Sequence, residues 1–329
     1  MSRVSHIIKV LSLISFLFLV WTAGAMALDY PNKPIQIIVP APPGGTCDIT
    51  ARILGPKLSS ILGQPVIIIN KPGGGGALGA KLFASATEPD GYTVLTHWTA
   101  IVLIPILKPG IGFKMEDFTA IAQPVSTIYM IAVKADSPWK TLEDLIKDAK
   151  KNPGKFTYST GGVGSGYHFT GEHFKIETGT DIVHVPMEGD AIAVTAALGG
   201  HVNMTISGLG SLIAYLKAGT MRVLANMYHE RIKDFPDVPT IKELGFPSLT
   251  THGWFGYFLP AKTPREIVGK LGRAFETAVK DKDVIDKIDK SGMVAQGLIL
   301  GEATKFFQNE DNRWRIVAKK GKMVEETGK

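Results

Sequence analysis

The stretch Ile35-Gln36-Ile37-Ile38-Val39-Pro40-Ala41-Pro42-Pro43-Gly44-Gly45-Thr46-Cys47-Asp48 decides the fold reading. A run rich in β-branched residues reads as a strand. It breaks at prolines and a glycine pair, then passes into a helical pattern over 48–62. A strand feeding a helix through a glycine turn is half of a βαβ unit. The next segments supply the other half: a strand at 66–70, a helix at 77–86 and a strand at 92–96. This rhythm predicts a parallel sheet covered by helices.

Further along, a second set appears. It begins with a strand at 128–133, then a helix opening at Thr141 with Asp144 three residues on as an N-terminal cap. Strands at 156–159, 182–185, 204–206 and 222–225 follow, interleaved with helices at 165–177, 191–198 and 209–217. A third part, after Pro236, Pro239 and Pro247, offers a strand at 254–258 and amphipathic helices following Pro264 to Lys280 and over 302–317. These exceed what the second set can accommodate and are expected to return to the first. The reading is therefore an α/β chain of two lobes joined by two crossings, with 28–124 and 251–329 as lobe 1 and 125–250 as lobe 2. About 300 residues also exceed one hydrophobic core.

Arg3 and Lys9, an apolar run to Trp21 and Ala25-Met26-Ala27 have the layout of a secretory signal peptide over 1–27, with cleavage after Ala27 and Ala25 as the competing site. The run falls short of the roughly 20 apolar residues a membrane span needs. Removing it takes two positive charges from a net +6. The remaining basic residues are scattered among acids, so no nucleic-acid footprint is visible despite a pI of 9.1. The single cysteine, Cys47, rules out an intrachain disulfide, and zinc-type Cys/His spacing is absent.

Four loops fall at strand-to-helix junctions, where open α/β sheets bind ligands. They are 42–48, 96–99, 159–165 and 207–211. Three are glycine-rich, carry hydroxyls and lead into helices, whose first N–H groups have no intrahelical acceptor and favour an anion. The candidate ligand-binding residues are Pro43, Gly44, Gly45, Thr46, Asp48, His97, Trp98, Thr160, Gly164, Ser165, Ser207 and Gly208. Ordinary turn and cap chemistry explains any one loop; three together point to a shared anion site. Asp48 either caps its helix, paired with Arg52, or faces the cleft to meet a cationic group.

The enzyme motifs fail on spacing. The segment Gly74 to Lys81 lacks the G-K-[ST] end of a phosphate loop. His168, Glu172 and His173 match no zinc motif, and Ser165 is not in a G-x-S-x-G frame. Cys47 at a helix start is a conceivable nucleophile but has no evident base. No catalytic residue, metal site or cofactor is expected.

Several segments together resemble the tripartite tricarboxylate transporter substrate-binding receptors, the Bug family. They are Tyr30-Pro31-Asn32-Lys33-Pro34-Ile35, Pro43-Gly44-Gly45-Thr46 with Asp48 and Ala51-Arg52, Leu62-Gly63-Gln64-Pro65-Val66, and Asn70-Lys71-Pro72-Gly73. The likeness continues in Pro89-Asp90-Gly91-Tyr92-Thr93, His184-Val185-Pro186, Asp237-Val238-Pro239-Thr240 and Pro260-Ala261-Lys262-Thr263-Pro264. The resemblance implies a periplasmic-binding-protein fold of the two-crossover, type II-like kind and a periplasmic location. It also implies a small organic carboxylate as ligand, held largely by backbone N–H groups and water from the loops at Gly44–Thr46 and Ser159–Ser165, and large and small membrane subunits of a transporter as partners. The chain itself is expected to be a monomer. Two departures stand out: Ala41 where an aromatic is common, and Met187-Glu188-Gly189-Asp190-Ala191 where Tyr-Lys-Gly followed by proline is common. They make a bulkier or amine-bearing ligand plausible. The competing expectations are a sensor or scaffold for a signalling partner and an exported enzyme of the same fold.

Overall fold

A computed structural model describes residues 29–323. The predicted signal peptide lies outside the described residues.

Strand β1 (Ile35–Val39) pairs in parallel with β2 (Val66–Asn70) and β3 (Thr93–Trp98). Between β1 and β2 runs helix α1 (Thr46–Leu62), which starts two residues before the sequence pattern suggested. It stops at Gly63, whose φ of 69° provides the left-handed cap a side chain would resist. Helix α2 (Ala77–Ala86) links β2 to β3. Helix α3 (Ala100–Leu107) follows β3. The sequence reading missed α3 because AIVLIPIL is apolar on every face and has no period, as expected of a helix enclosed in the core.

The long strand β4 (Phe118–Thr127) also went unpredicted and is almost wholly buried. Only Ile128 separates it from β5 (Tyr129–Lys134), which belongs to a different sheet. That second sheet is built from β5, β6 (Thr157–Thr160), β7 (Val183–Pro186), β8 (Met204–Gly208) and β9 (Met221–Asn226), in the order β7-β6-β8-β5-β9. Helices α4 (Leu142–Lys151), α5 (Gly166–Thr178), α6 (Asp190–Leu198) and α7 (Leu209–Lys217) connect its strands. At the start of α4 the expected cap is present: Thr141 Oγ1 accepts from the Asp144 N–H, and the Asp144 carboxylate accepts from the Thr141 N–H.

The chain returns to the first sheet at β10 (Gly253–Pro260), which runs antiparallel between β3 and β4. Helix α8 (Arg265–Val279), helix α9 (Lys282–Lys290), strand β11 (Met293–Ile299) and helix α10 (Gly301–Lys320) complete the fold. The first sheet thus has the order β11-β4-β10-β3-β1-β2. Leu271, Phe275 and Ile288 of α8 and α9 share a core with Ile35, Ile37 and Tyr257, which is why these late helices belong to the first lobe. The result is a mixed α/β protein of two lobes, crossed once at Ile128 and again along 227–252.

The two crossings touch. Thr127 and Gly253 are register partners, and a β-carbon on Gly253 would overlap both the Thr127 hydroxyl and the Tyr129 ring. Helix α10 also reaches across the lobes, since Phe169 of α5 meets Trp314 edge-to-face at 5.6 Å.

Candidate ligand-binding site

A cavity of about 260 Å³ lies between the lobes, over the crossing strands. Lobe 1 contributes Ala41, Thr46 and Cys47 from the β1–α1 junction, and Trp98 and Thr99 from the β3–α3 junction. Lobe 2 contributes Gly161, Ser165, Gly166 and Tyr167 from the β6–α5 junction, with Asp190 and Ser211 from the starts of α6 and α7. The crossings form its floor through Thr127, Tyr129, Gly253, Trp254 and Phe255. A second chamber of about 240 Å³ adjoins it, and the two share Thr46, Thr127, Tyr167, Asp190 and Ser211 as a wall.

Of the residues expected from sequence, Thr46, Trp98 and Ser165 line the main cavity, and Gly208 lines the second chamber. Pro43, Gly44, Gly45, Asp48, His97, Thr160, Gly164 and Ser207 do not line either one. Most of these build the scaffold behind the cleft. Gly44 turns with a φ of 81° and donates its N–H to Asp48 Oδ2 at 2.9 Å, while Gly45 N–H donates to Pro42 O. Their amides are therefore engaged within the loop. Gly164 likewise donates to His168 Nδ1, and Ser165 Oγ donates to Gly162 O while accepting from His168 N as the cap of α5. Thr160 Oγ1 meets His184 Nε2 at 2.8 Å, and Ser207 Oγ meets Thr205 Oγ1 at 2.7 Å.

The free donors lie one step further along each chain. Thr46 and Cys47 open α1, and Gly166 and Tyr167 open α5; by position their N–H groups have no intrahelical acceptor, and all four residues line the cavity. Asp190 opens α6, and Thr99 precedes α3. Helix N-termini from both lobes thus point partial positive charge and N–H donors at one shared space, an arrangement that suits an anion without a cationic side chain. Among the residues lining the cavity there is no Lys, Arg or His.

Asp48 lines neither chamber, and it does not cap α1 either: it is the third residue of that helix, which follows Gly45 without a side-chain cap, and it ties back to the preceding loop. Its carboxylate is 1% exposed and accepts from Gly44 N, Arg52 Nε and Asn70 Nδ2. Burial alone would raise its pKa, but these hydrogen bonds, Arg52 first, hold it below the usual carboxylate range. His97 is fully buried, with Nδ1 3.0 Å from Trp98 O and Nε2 3.3 Å from Gly76 O. A neutral ring can donate to only one of these carbonyls. Burial nevertheless wins and lowers its pKa to about 4.

Cys47 borders the cavity, yet burial pushes its thiol up to about 12, against a weak hydrogen bond with Thr96. It is held as the unreactive thiol. The histidines of the rejected metal motif part company: His168 stacks on His184 at 4.1 Å, Glu172 accepts from Tyr158 and Lys175, and His173 faces Glu177. Among the described residues no three His, Cys, Asp or Glu side chains gather as a metal-binding group.

Sequence reasoning missed the floor of the cleft. Tyr129 is wedged between Gly166 and Gly253, where a β-carbon at either would strike it, and its ring lies 4.4 Å from that of Tyr167. The glycines in sequence were visible, but nothing local tied them to a tyrosine far away in the chain. Asp190 was legible only as an unusual acid. Its Oδ2 accepts from Gly208 N at 3.1 Å, with Ser211, Ser207 and Tyr167 interacting around the carboxyl, and burial still raises its pKa.

Residues 50–323 match the model of the tripartite tricarboxylate transporter family receptor. The chain is 32% identical over 309 residues to protein BugT of Bordetella pertussis, covering 93% of each chain. A Rhodopseudomonas palustris protein solved with adipate superposes with a TM-score of 0.79 at 29% identity, covering 89% of this chain and 99% of that one. MatC from Rhodopseudomonas palustris, solved with malate, gives a TM-score of 0.74 at 26% identity, covering 88% and 99%. With the two-lobed fold and the interlobe cleft ringed by helix N-termini, these matches show that the chain belongs to the tripartite tricarboxylate transporter receptors, a family of periplasmic solute-binding proteins.

Proposed function

We propose that this receptor captures a small organic carboxylate in the cleft between its lobes and delivers it to the large and small membrane subunits of a tripartite transporter. The single observation that carries the ligand class is the convergence of the first turns of α1 and α5 on a cavity without any cation. Two relatives solved with adipate and malate, both carboxylates, support the same reading. The chain works as a periplasmic monomer after removal of 1–27, without chemistry on its ligand and without a cofactor. Its lobes are 28–124 with 251–329, and 125–250. The binding residues are Thr46, Trp98 and Ser165 directly. Pro43, Gly44, Gly45, Asp48, His97, Thr160, Gly164, Ser207 and Gly208 act by shaping the loops.

A thermal-shift screen of the mature chain against a few hundred organic acids tests this. A ligand at 100 times its Kd raises stability by about 2.7 kcal/mol. Absence of any stabilising carboxylate would sink the ligand class, and conversion of a bound acid to product would sink the receptor reading in favour of an enzyme.

A further inference from the structure

Among the residues lining the two chambers, Asp190 is the one carboxylic acid, and no cationic side chain stands beside it. Asp190 is half-buried as a residue, but its Oδ1 is shut off from solvent and has no hydrogen-bond partner, whereas Oδ2 is tethered to Gly208 N. A buried acceptor left without a donor is a costly feature that native structures seldom carry. Asp190 also stands in the wall shared by the two chambers, so a group arriving in either one approaches it. Neither chamber is lined by Lys, Arg or His.

These facts weigh differently on different acids. A dianionic acid would bring two negative charges into a space that already holds a carboxyl, with N–H and hydroxyl donors but no cationic side chain to receive them. A zwitterion divides its charges: the carboxylate goes to the first turns of α1 and α5, and the ammonium goes to the oxygen that lacks a donor. Charge-assisted hydrogen bonds of this kind are the strong ones.

We propose that Asp190 selects ligands whose carboxylate is accompanied by an ammonium group, so that this receptor prefers amino acids over dianionic acids of similar length. The proposal rests on reading the cleft as a carboxylate site and adds the second half of the ligand. Burial that raises the pKa of Asp190 agrees with it, because the ionised form is disfavoured until a cation arrives.

The test is calorimetric titration of the mature chain with pairs that differ only by the amine: 2-aminobutanoate and butanoate, norleucine and hexanoate, phenylalanine and 3-phenylpropanoate. Succinate and glutarate serve as the dianionic comparison. In the best-binding pair the amine-bearing member binds at least ~10-fold more tightly. Asp190→Asn brings that ratio close to one.

Succinate or glutarate binding more tightly than every amine-bearing probe overturns the proposal, and so does a ratio unaltered in Asp190→Asn. If losing the Gly208 tether unfolds that variant, the ratio in the unaltered protein decides alone. Acids that bind without regard to the amine remove the role of Asp190 and leave the carboxylate receptor standing. Failure of every carboxylate to bind removes both.

Discussion

The indole Nε1 of Trp254 donates to Glu310 Oε2 across 2.8 Å, joining the strand that floors the cleft to the C-terminal helix. Trp314 Nε1 donates to the same oxygen at 3.0 Å, and both tryptophans are fully buried. One carboxylate oxygen therefore satisfies two indoles that have no access to water. Glu310→Ala should destabilise the fold by about 2–5 kcal/mol, the cost of leaving two buried donors unpaired. Urea unfolding followed by tryptophan fluorescence checks this, and a loss below about 0.5 kcal/mol would show that the indoles find other acceptors.

Asp48 predicts the acid limb of stability. Its native pKa is depressed below the unfolded value of about 3.9. A depressed carboxylate contributes stability that is present above the unfolded pKa and is lost as pH falls through the native one. Asp48→Asn should therefore be less stable than the unaltered protein at pH 7, with the difference shrinking below about pH 4. Melting temperatures measured from pH 7 to pH 3 give the comparison. A constant gap over that range would mean that the charge of Asp48 does not matter.

His97 acts in a different window. Its native pKa is about 4, below the unfolded histidine value of about 6.5. Between these values the unfolded chain binds the proton more readily, so stability is full above the unfolded pKa and declines as pH falls from about 6.5 toward 4. His97→Gln should reduce the loss of stability between pH 7 and pH 5. His184, His173 and His252 are depressed as well and leave part of the slope in place. Denaturant titrations at the two pH values decide it; an unchanged slope would remove His97 from the account.

Ser165 and Gly164 should separate a cap from a binding loop. The Ser165 hydroxyl donates to Gly162 O and accepts from His168 N, so Ser165→Ala should cost ~1 kcal/mol of stability through the lost cap of α5. Gly164 has a φ of 79°, and a β-carbon there would sit 3.1 Å from Leu107 Cδ1. Gly164→Val should thus distort the loop before α5 and abolish carboxylate binding, because a β-branched residue resists that φ. Calorimetry with the tightest acid of the screen, alongside circular dichroism, checks both. Tight binding by Gly164→Val would move the carboxylate away from α5.

The alternation of β-branched runs, glycine turns and helical patterns was enough to establish two α/β lobes. Each of those signals is local, being carried by neighbours within a strand or a helix turn. The same holds for the Thr141–Asp144 cap, for the end of α1 at Gly63 and for the choice of the β1–α1 and β6–α5 junctions as sides of the cleft. Periodicity could not reveal α3 and β4, since an element buried on all sides has no polar face to mark its period.

Tertiary structure alone decided which atoms face the cleft. The sequence pointed to Gly44, Gly45 and Gly164, but Asp48, Pro42 and His168 occupy those amides, and the donors left over belong to the next helical turn. Tyr129, Trp254 and Asp190 reach the cleft only because the two crossing strands and the start of α6 meet there. Hydrogen-bond partners compete for each N–H in three dimensions, so the pattern of residue types names the loop, and the packing of distant segments determines which of its donors stays free.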